Sequence, residues 1–360
     1  MHDGGDSSAG RKPWGLGMRP ELRRWTARIL QWLLVFVLLG WALRGIPFAD
    51  IGQVLGRLRV SQLIGLLALD LLILWSFSWR WWAVLHAQGH PVPSRFLSLY
   101  RLAAFAVSYL TPGTQFGGEP LQIYLLSRRH SLPASTAIAS VLLDKTLELI
   151  GNFTFLAIGI QVVLHLGLIP TTARTSLVSL SVGLLFLPVS YLWLSCRGVG
   201  PATWLLRRFP AVARRWSSYR KLAEAVAGAE EQVGALCHER SLWLFAAVGL
   251  SLASWLAVLL EAWVAMRFIG ISVSPTQAVG VLTSARLAFL VPVPGGLGAL
   301  EASQVLAVSA LGFSRADGVG LGLLIRARDL LFVGLGLWLG VVLVPGKRAS
   351  RTPEGPSDAA

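Results

Sequence analysis

Two short breaks in otherwise apolar sequence constrain the fold of this chain more than any other feature. The first is Thr111-Pro112-Gly113-Thr114-Gln115-Phe116-Gly117-Gly118-Glu119-Pro120, and the second is Val291-Pro292-Val293-Pro294-Gly295-Gly296-Leu297-Gly298-Ala299-Leu300-Glu301. Each holds a Pro-Gly step, further glycines and a glutamate seven positions after that proline; Pro112 and Pro294 lie 182 positions apart. Proline removes a backbone donor and glycine weakens helix, so one continuous helix passes through neither break. At membrane depth the freed backbone groups must still be satisfied, which confines such breaks to the protein interior or the wall of a water-filled cavity.

The surrounding sequence is that of a membrane protein. Of 360 residues 54% are apolar and 14% charged, with a mean hydropathy of +0.62, which excludes a soluble globular domain. The apolar runs are too long for strands and lack the alternation of an outer-membrane barrel, so the fold class is an all-α polytopic membrane protein. The formal net charge of +14 resides mainly in the tails and one central loop. Positive-inside topology accounts for it, and no nucleic-acid partner is expected. Cys196 and Cys237 offer no disulfide framework, and His86, His90, His130 and His165 show no metal-ligand spacing. Without a Gly-Lys-Ser/Thr phosphate loop, direct ATP coupling is not expected, and neither is any cofactor or metal.

Taken in order, residues 1–24 read as a disordered, basic N-terminal tail and residues 25–345 as the integral membrane domain. Arg19, Arg23, Arg24 and Arg28 flank a first span over about Ile29–Leu43 and place the N-terminus in the cytoplasm. No small-residue cleavage site follows, so this span reads as an uncleaved anchor. The second span runs from about Gln62 to Trp79, with Arg80 and Trp79, Trp81 and Trp82 at its interfacial end. Asp70 lies near the middle of that span, where an isolated carboxylate costs roughly 3 kcal/mol or more, so it should be partnered, protonated or turned towards protein. Short apolar stretches, Phe96–Leu110 and Leu121–Leu126, flank the first break and read as a re-entrant helical hairpin ending at Arg128 and Arg129, which serve topology. Spans over Thr146–Leu168, opened by Asp144, Lys145 and Glu148, and over Leu177–Ser195, kinked at Pro188, follow.

Residues 197–240 carry Arg197, Arg207, Arg208, Arg214, Arg215, Arg220, Lys221 and Arg240 and read as a cytoplasmic loop. With Trp204, Leu205, Leu206 and Phe209 beside those arginines, the loop either rests on an anionic leaflet surface or is a solvated topogenic segment. A fifth span, Leu242–Met266, carries Glu261; Thr276–Val293 and Gly298–Leu311 form a second hairpin around the second break. The last span, Leu323–Val344, opens with Arg326, Arg328 and Asp329. Lys347, Arg348 and Arg351 put the C-terminus inside, and residues 346–360 read as a disordered tail.

Counting crossings from the basic segments gives about six full spans plus two re-entrant hairpins that enter from opposite sides. The chain thus reads as an inverted repeat with halves of about 61–170 and 241–345. Each hairpin's incoming arm carries one arginine, Arg101 or Arg286, and each hairpin is followed by a span opened by mixed charges. Pro112 to Glu148 is 36 positions and Pro294 to Asp329 is 35. Inverted repeats with interrupted segments in corresponding positions are the architecture of secondary transporters, with the binding site between the repeats.

Tyr109-Leu-Thr-Pro-Gly, Gly117-Gly-Glu-Pro, Leu143-Asp144-Lys145 with Glu148, and Pro292-Val-Pro-Gly-Gly-Leu-Gly-Ala-Leu-Glu301 together resemble the transmembrane region of lysylphosphatidylglycerol synthase. The resemblance covers about residues 25–345. It implies a flippase-like protein of the bacterial inner membrane that binds or translocates a lipid, and the family includes stand-alone members associated with hopanoid biosynthesis. The synthases add a soluble aminoacyl-transferase domain, which this chain is expected to lack.

The residues expected to line a cavity are Arg101, Thr111, Gln115, Glu119, Asp144, Lys145, Glu148, Arg286, Glu301, Arg326, Arg328 and Asp329. Those expected to shape the breaks are Pro112, Gly113, Gly117, Gly118, Pro294, Gly295, Gly296 and Gly298. Glu119 precedes Pro120 and reads as an N-cap; Glu301 falls in the first turn after its glycines, where the helix dipole favours a carboxylate by about 0.3–1 kcal/mol. Both glutamates read either as caps or as cavity carboxylates that meet a headgroup or relay protons. Arg101 and Arg286 read either as partners of Glu119, Asp144 or Glu301 or as the cations that neutralise a lipid phosphate.

Three function classes follow. Lipid translocation leads. An intramembrane enzyme such as a polyprenyl-pyrophosphate phosphatase needs a serine or histidine nucleophile with arginines at the Pro-Gly turn. Thr114-Gln115-Phe116 in the first break, and the lack of a hydroxyl between Pro292 and Glu301, argue against it. The third class is a scaffold for lipid-biosynthesis enzymes.

Overall fold

The computed structural model describes residues 58–111, 116–166, 174–208, 217–290 and 294–344, and among these every regular element is helical. The expected first span and both tails lie outside the described residues.

Proline and serine set most helix starts. α1 (Val60–Ala87) opens where the Gln62 side chain accepts from Arg59 N at 2.9 Å. α2 (Ser94–Leu110) follows Pro93 and stops at Thr111, whose extended backbone is what the residue before a proline adopts. α3 (Glu119–Arg129) has Pro120 in its first turn, and α4 (Ala134–His165) follows Pro133. α5 (Arg174–Cys196) contains Pro188. The short α6 (Pro201–Arg207) and α7 (Ser217–Glu239) lie in the basic segment, and α8 (Ser241–Phe268) comes next. α9 (Pro275–Ala288) starts with Ser274 Oγ accepting from Gln277 N at 3.2 Å. A 3-10 turn at Pro294–Gly296 and α10 (Ala299–Ala310) follow, and α11 (Arg315–Leu343) starts with Ser314 Oγ accepting from Asp317 N at 3.1 Å.

Among the described residues α1, α4, α5 and α8 are long and apolar enough to cross a membrane; α11, at 29 residues, has the length but carries Arg326, Arg328 and Asp329. The arms flanking the breaks, α2 and α3 and then α9 and α10, have 17, 11, 14 and 12 residues. At about 1.5 Å per residue the longest reaches roughly 25 Å, short of a hydrocarbon core roughly 30 Å thick. Each pair of arms packs together as a helical hairpin.

The four helices α1–α4 recur as α8–α11. Their starts differ by 181 (60 to 241), 181 (94 to 275), 180 (119 to 299) and 181 (134 to 315) positions. The packing repeats as well. α1 lies along α8, the first hairpin's α2 packs on α11 of the second copy, and α9 packs on α4 of the first. This reciprocal exchange is what a two-fold relation between copies produces.

Four expectations are corrected. α1 extends well past Trp79, so Arg80 and Trp81 are fully buried instead of interfacial. The reason is a partner, since Arg80 meets Asp144 of α4. α4 begins at Ala134 and α11 at Arg315, so Asp144–Glu148 and Arg326–Asp329 lie inside their helices and do not open them. Helix continues through both sets because ion pairs satisfy the charges. The 197–240 segment is no plain loop: Ala229, Val233 and Leu236 of α7 are buried against Val84, Ala139, Leu143 and Leu147. Finally, Cys196 and Cys237 are bonded, their Cα atoms 5.5 Å apart, because α7 folds back against α5. A separation of 41 positions concealed this pairing.

Candidate functional site

The break glutamates hold the hairpin tips. In the first tip Glu119 Oε2 accepts from Gly117 N at 2.7 Å, and Ser108 Oγ accepts from Gly118 N at 2.9 Å. Gly118, and not Glu119, is the N-cap; Glu119 is the first helical residue. A Cβ on Gly118 would collide with the Ala104 carbonyl, so glycine is what lets the tip lie against α2. Thr111 Oγ1 donates within the same turn, to Ser108 O at 2.9 Å. Pro112, Gly113 and Gln115 lie outside the described residues. In the second tip Gly295, Gly296 and Gly298 all have positive φ (59°, 61° and 77°), and Glu301 Oε2 accepts from Gly298 N at 2.9 Å. Pro294 opens the 3-10 turn.

Each glutamate also pairs with a cation on the long helix that follows its hairpin. Lys145 Nζ lies 3.2 Å from Glu119 Oε1, and an Arg326 guanidinium nitrogen lies 2.6 Å from Glu301 Oε1. Capping and ion pairing therefore coexist in one side chain. Arg326 does more. It donates to the Tyr109 hydroxyl at the end of α2 and to the carbonyls of Gly295 and Gly296, and so joins the two hairpin tips.

Behind the first tip stands a closed charge network. Arg80 Nε donates to Asp144 Oδ1 at 2.8 Å and another of its nitrogens approaches Glu148 at 3.6 Å. Arg101 bridges Asp144 and also reaches Glu148 at 3.2 Å, while Lys145 meets Glu148 at 2.9 Å. Three cations thus meet three carboxylates, counting Glu119. Behind the second tip the balance differs. Arg328 is shared by Asp329 at 3.0 Å, Glu261 at 3.2 Å and Asp70 at 3.5 Å. Asp70 and Glu261 thereby gain the partner their depth demands. Arg286 is in no ion pair among the described residues; it lies over the Trp255 ring, 5.0 Å from the centroid.

A cavity of about 340 Å³ lies between these groups. Its wall includes Arg101, Glu119, Asp144, Lys145, Glu148, Arg286, Arg328 and Asp329, with Phe77, Phe105, Phe289 and Phe332 supplying apolar surface. Gly118 also contributes, whereas Thr111, Glu301 and Arg326 lie outside the wall and build the adjoining tip. Volume and lining suit an amphipathic ligand with a polar head and an apolar chain.

Sequence reasoning missed Arg80 and Tyr109 as members of the site. The tryptophans beside Arg80 mimic an interfacial belt, and nothing local marks Tyr109, whose partner is 217 positions away. For Arg80 the available signal was Asp144: a second charged residue at membrane depth requires an opposite one.

Fold and site define a polytopic helical membrane protein in which two interrupted helical hairpins enclose a charged cavity. Residues 28–336 match the family described as lysylphosphatidylglycerol synthase TM region, and the chain belongs to that family. It is 25% identical over 283 residues to a UPF0104 membrane protein of Methanothermobacter thermautotrophicus, covering 73% of this chain and 80% of that protein. No solved structure matches.

Proposed function

We propose that the chain is a flippase-like lipid transporter that binds a lipid in the cavity between its two hairpins and moves it across the bilayer unchanged. The observation that carries this reading is the exchange between copies: one arm of each hairpin packs on the long helix of the other copy, while each tip is tied by its glutamate to a cation in the long helix of its own copy. Such an interface supports two alternative arrangements, open to one leaflet or to the other. Counting α1, α4 and α5 as crossings makes the second copy inverted relative to the first, as alternating access requires. Candidate ligands are phospholipids, aminoacyl-lipids and hopanoid or polyprenyl lipids.

The reading places the chain in a bacterial inner membrane with both termini and the 197–240 segment in the cytoplasm, by positive-inside charge. Trp204 and Leu205, 63% and 55% exposed, stand beside Arg207 and Arg208 and supply an apolar and cationic face for an anionic leaflet. Lipid-biosynthesis enzymes are the expected protein partners. The test is reconstitution into liposomes holding a fluorescent lipid, followed by an impermeant quencher. Protein-dependent quenching of the inner-leaflet pool supports the reading, and quenching no faster than in protein-free liposomes for every candidate lipid refutes it.

A further inference from the structure

Among the cavity's cations Arg286 differs from the rest. Arg101, Lys145 and Arg328 each touch at least one carboxylate, as do Arg80 and Arg326 just outside the wall. Arg286 touches none among the described residues, and its contact is the face of Trp255. Asp329, Glu261 and Glu148 are each bonded to another cation and act on Arg286 only through space, where Arg328 repels it. A guanidinium held at membrane depth without a contacting anion is costly, and is commonly the mark of a ligand site.

Two further polar groups beside Arg286 lack partners. The Trp255 indole Nε1 is buried and donates to nothing, and the Asn152 side-chain oxygen is buried and accepts nothing. Both residues line the same cavity as Arg286. α4 approaches α8 at Gly151, the residue before Asn152, where any Cβ would press on Trp255 Nε1. Phe155, stacked on Trp255 with centroids 5.0 Å apart, fixes the indole plane. Each orphaned buried polar group costs about 1–3 kcal/mol, and two of them share this recess with a guanidinium that contacts no carboxylate among the described residues. A guanidinium and an indole N–H are donors, and an amide turned about its terminal bond presents its NH2 in place of its oxygen. The set suits a tetrahedral oxyanion, to which a charge-assisted arginine bond is roughly twice as strong as a neutral hydrogen bond.

We infer that Arg286, Trp255 and Asn152 form the headgroup anchor of the cavity and take the phosphate of a lipid, the acyl or prenyl chain lying against the phenylalanines. The inference rests on the lipid-binding reading above and adds the class of headgroup and the residues that hold it. On this account the first copy's closed network is wall and the second copy's Arg286 is contact.

The test uses the purified full-length chain with phosphatidylglycerol and with diacylglycerol, a lipid carrying the same chains without phosphate, and reads binding by native mass spectrometry. The Arg286→Gln variant is expected to weaken phosphatidylglycerol binding about tenfold, as for loss of one charged contact. Arg286→Lys should keep part of the affinity, and Trp255→Phe should lose a few-fold while retaining the ring. Diacylglycerol binding should be unchanged in all three, which also reports that the variants are folded. Inorganic phosphate that displaces phosphatidylglycerol would assign the anchor to phosphate as such; failure to compete, with Arg286→Gln still defective, would assign it to lipid-borne phosphate. Wild-type affinity of Arg286→Gln for phosphatidylglycerol would overturn the inference and leave the transport reading standing. Binding of neither lipid by the wild-type chain would overturn the inference and strike phosphatidylglycerol from the candidate ligands, and only the liposome assay over every candidate lipid decides the transport reading.

Discussion

The two copies of the four-helix unit share a frame and differ in how they use charge. Asp144 and Arg326 stand 182 positions apart, the spacing of Pro112 and Pro294, yet carry opposite signs. Asp144 draws Arg80 and Arg101 into a network in which every cation touches a carboxylate. Arg326 turns towards the tip, where it holds Glu301, Tyr109 and two glycine carbonyls. Deeper in the second copy, Arg328 serves Glu261 and Asp329 of its own copy and Asp70 of the first, and among the described residues Arg286 touches no carboxylate. Duplicated architecture thus supplies the hairpins and their exchange, and divergent charge leaves Arg286 of the second copy without the carboxylate contact that Arg101 has in the first.

The strongest challenge to this contrast is to unbalance each network in turn. Asp144→Ala leaves fully buried Arg80 without its main partner, and removing one member of a buried pair costs about 3–5 kcal/mol. Arg328→Gln strips the shared partner from Asp70, Glu261 and Asp329, none more than 11% exposed, and should cost at least as much while also slowing lipid movement. A smaller melting shift than that of Asp144→Ala would mean that the three carboxylates do not depend on Arg328.

Next in size is a comparison of the tips. Gly118→Ala forces a methyl group into the Ala104 carbonyl and should cost about 3 kcal/mol. Gly298→Ala meets open space and faces only its positive φ of 77°, worth about 1 kcal/mol. Thermal unfolding of the two variants should show that order; the reverse would mean the first tip does not lie against α2. Smallest of all should be Glu224→Gln, which removes a pair to Arg220 at 3.7 Å with both side chains 69% exposed. It should shift stability by less than about 1 kcal/mol and leave lipid movement unchanged.

The basic segment sets two rules against each other. The proposed topology puts its arginines in the cytoplasm, whereas a disulfide such as Cys196–Cys237 persists in oxidising compartments. On the proposed cytoplasmic placement the pair, bonded in this structure, would be reduced to two thiols in cells. An impermeant maleimide should label Cys196 and Cys237 only after permeabilisation, and labelling of intact spheroplasts after mild reduction would turn the whole topology over.

Much of the frame was legible because proline, glycine and hydropathy act locally. Pro112 and Pro294 mark the tips, and the apolar runs mark the spans. The charges were legible in kind but not in partner. Asp70 at mid-span had to be partnered, protonated or turned towards protein, and its partner, Arg328, is 258 positions away, a contact set by how the copies pack. Helix starts at Ala134 and Arg315 were misplaced because Lys145, Arg326 and their neighbours read as interfacial until ion pairing is known. Arg286 and Arg101 looked equivalent from sequence, and only packing separates the bridged arginine from the unbridged one.

The central claim is that lipid passes between two hairpins whose tips depend on Glu119 and Glu301. The most direct measurement is the liposome quenching assay on Glu119→Gln/Glu301→Gln, with melting temperature as the control for folding. The account predicts a folded double variant that moves lipid no faster than empty liposomes, while wild type does so readily. Full transport by the double variant would contradict it.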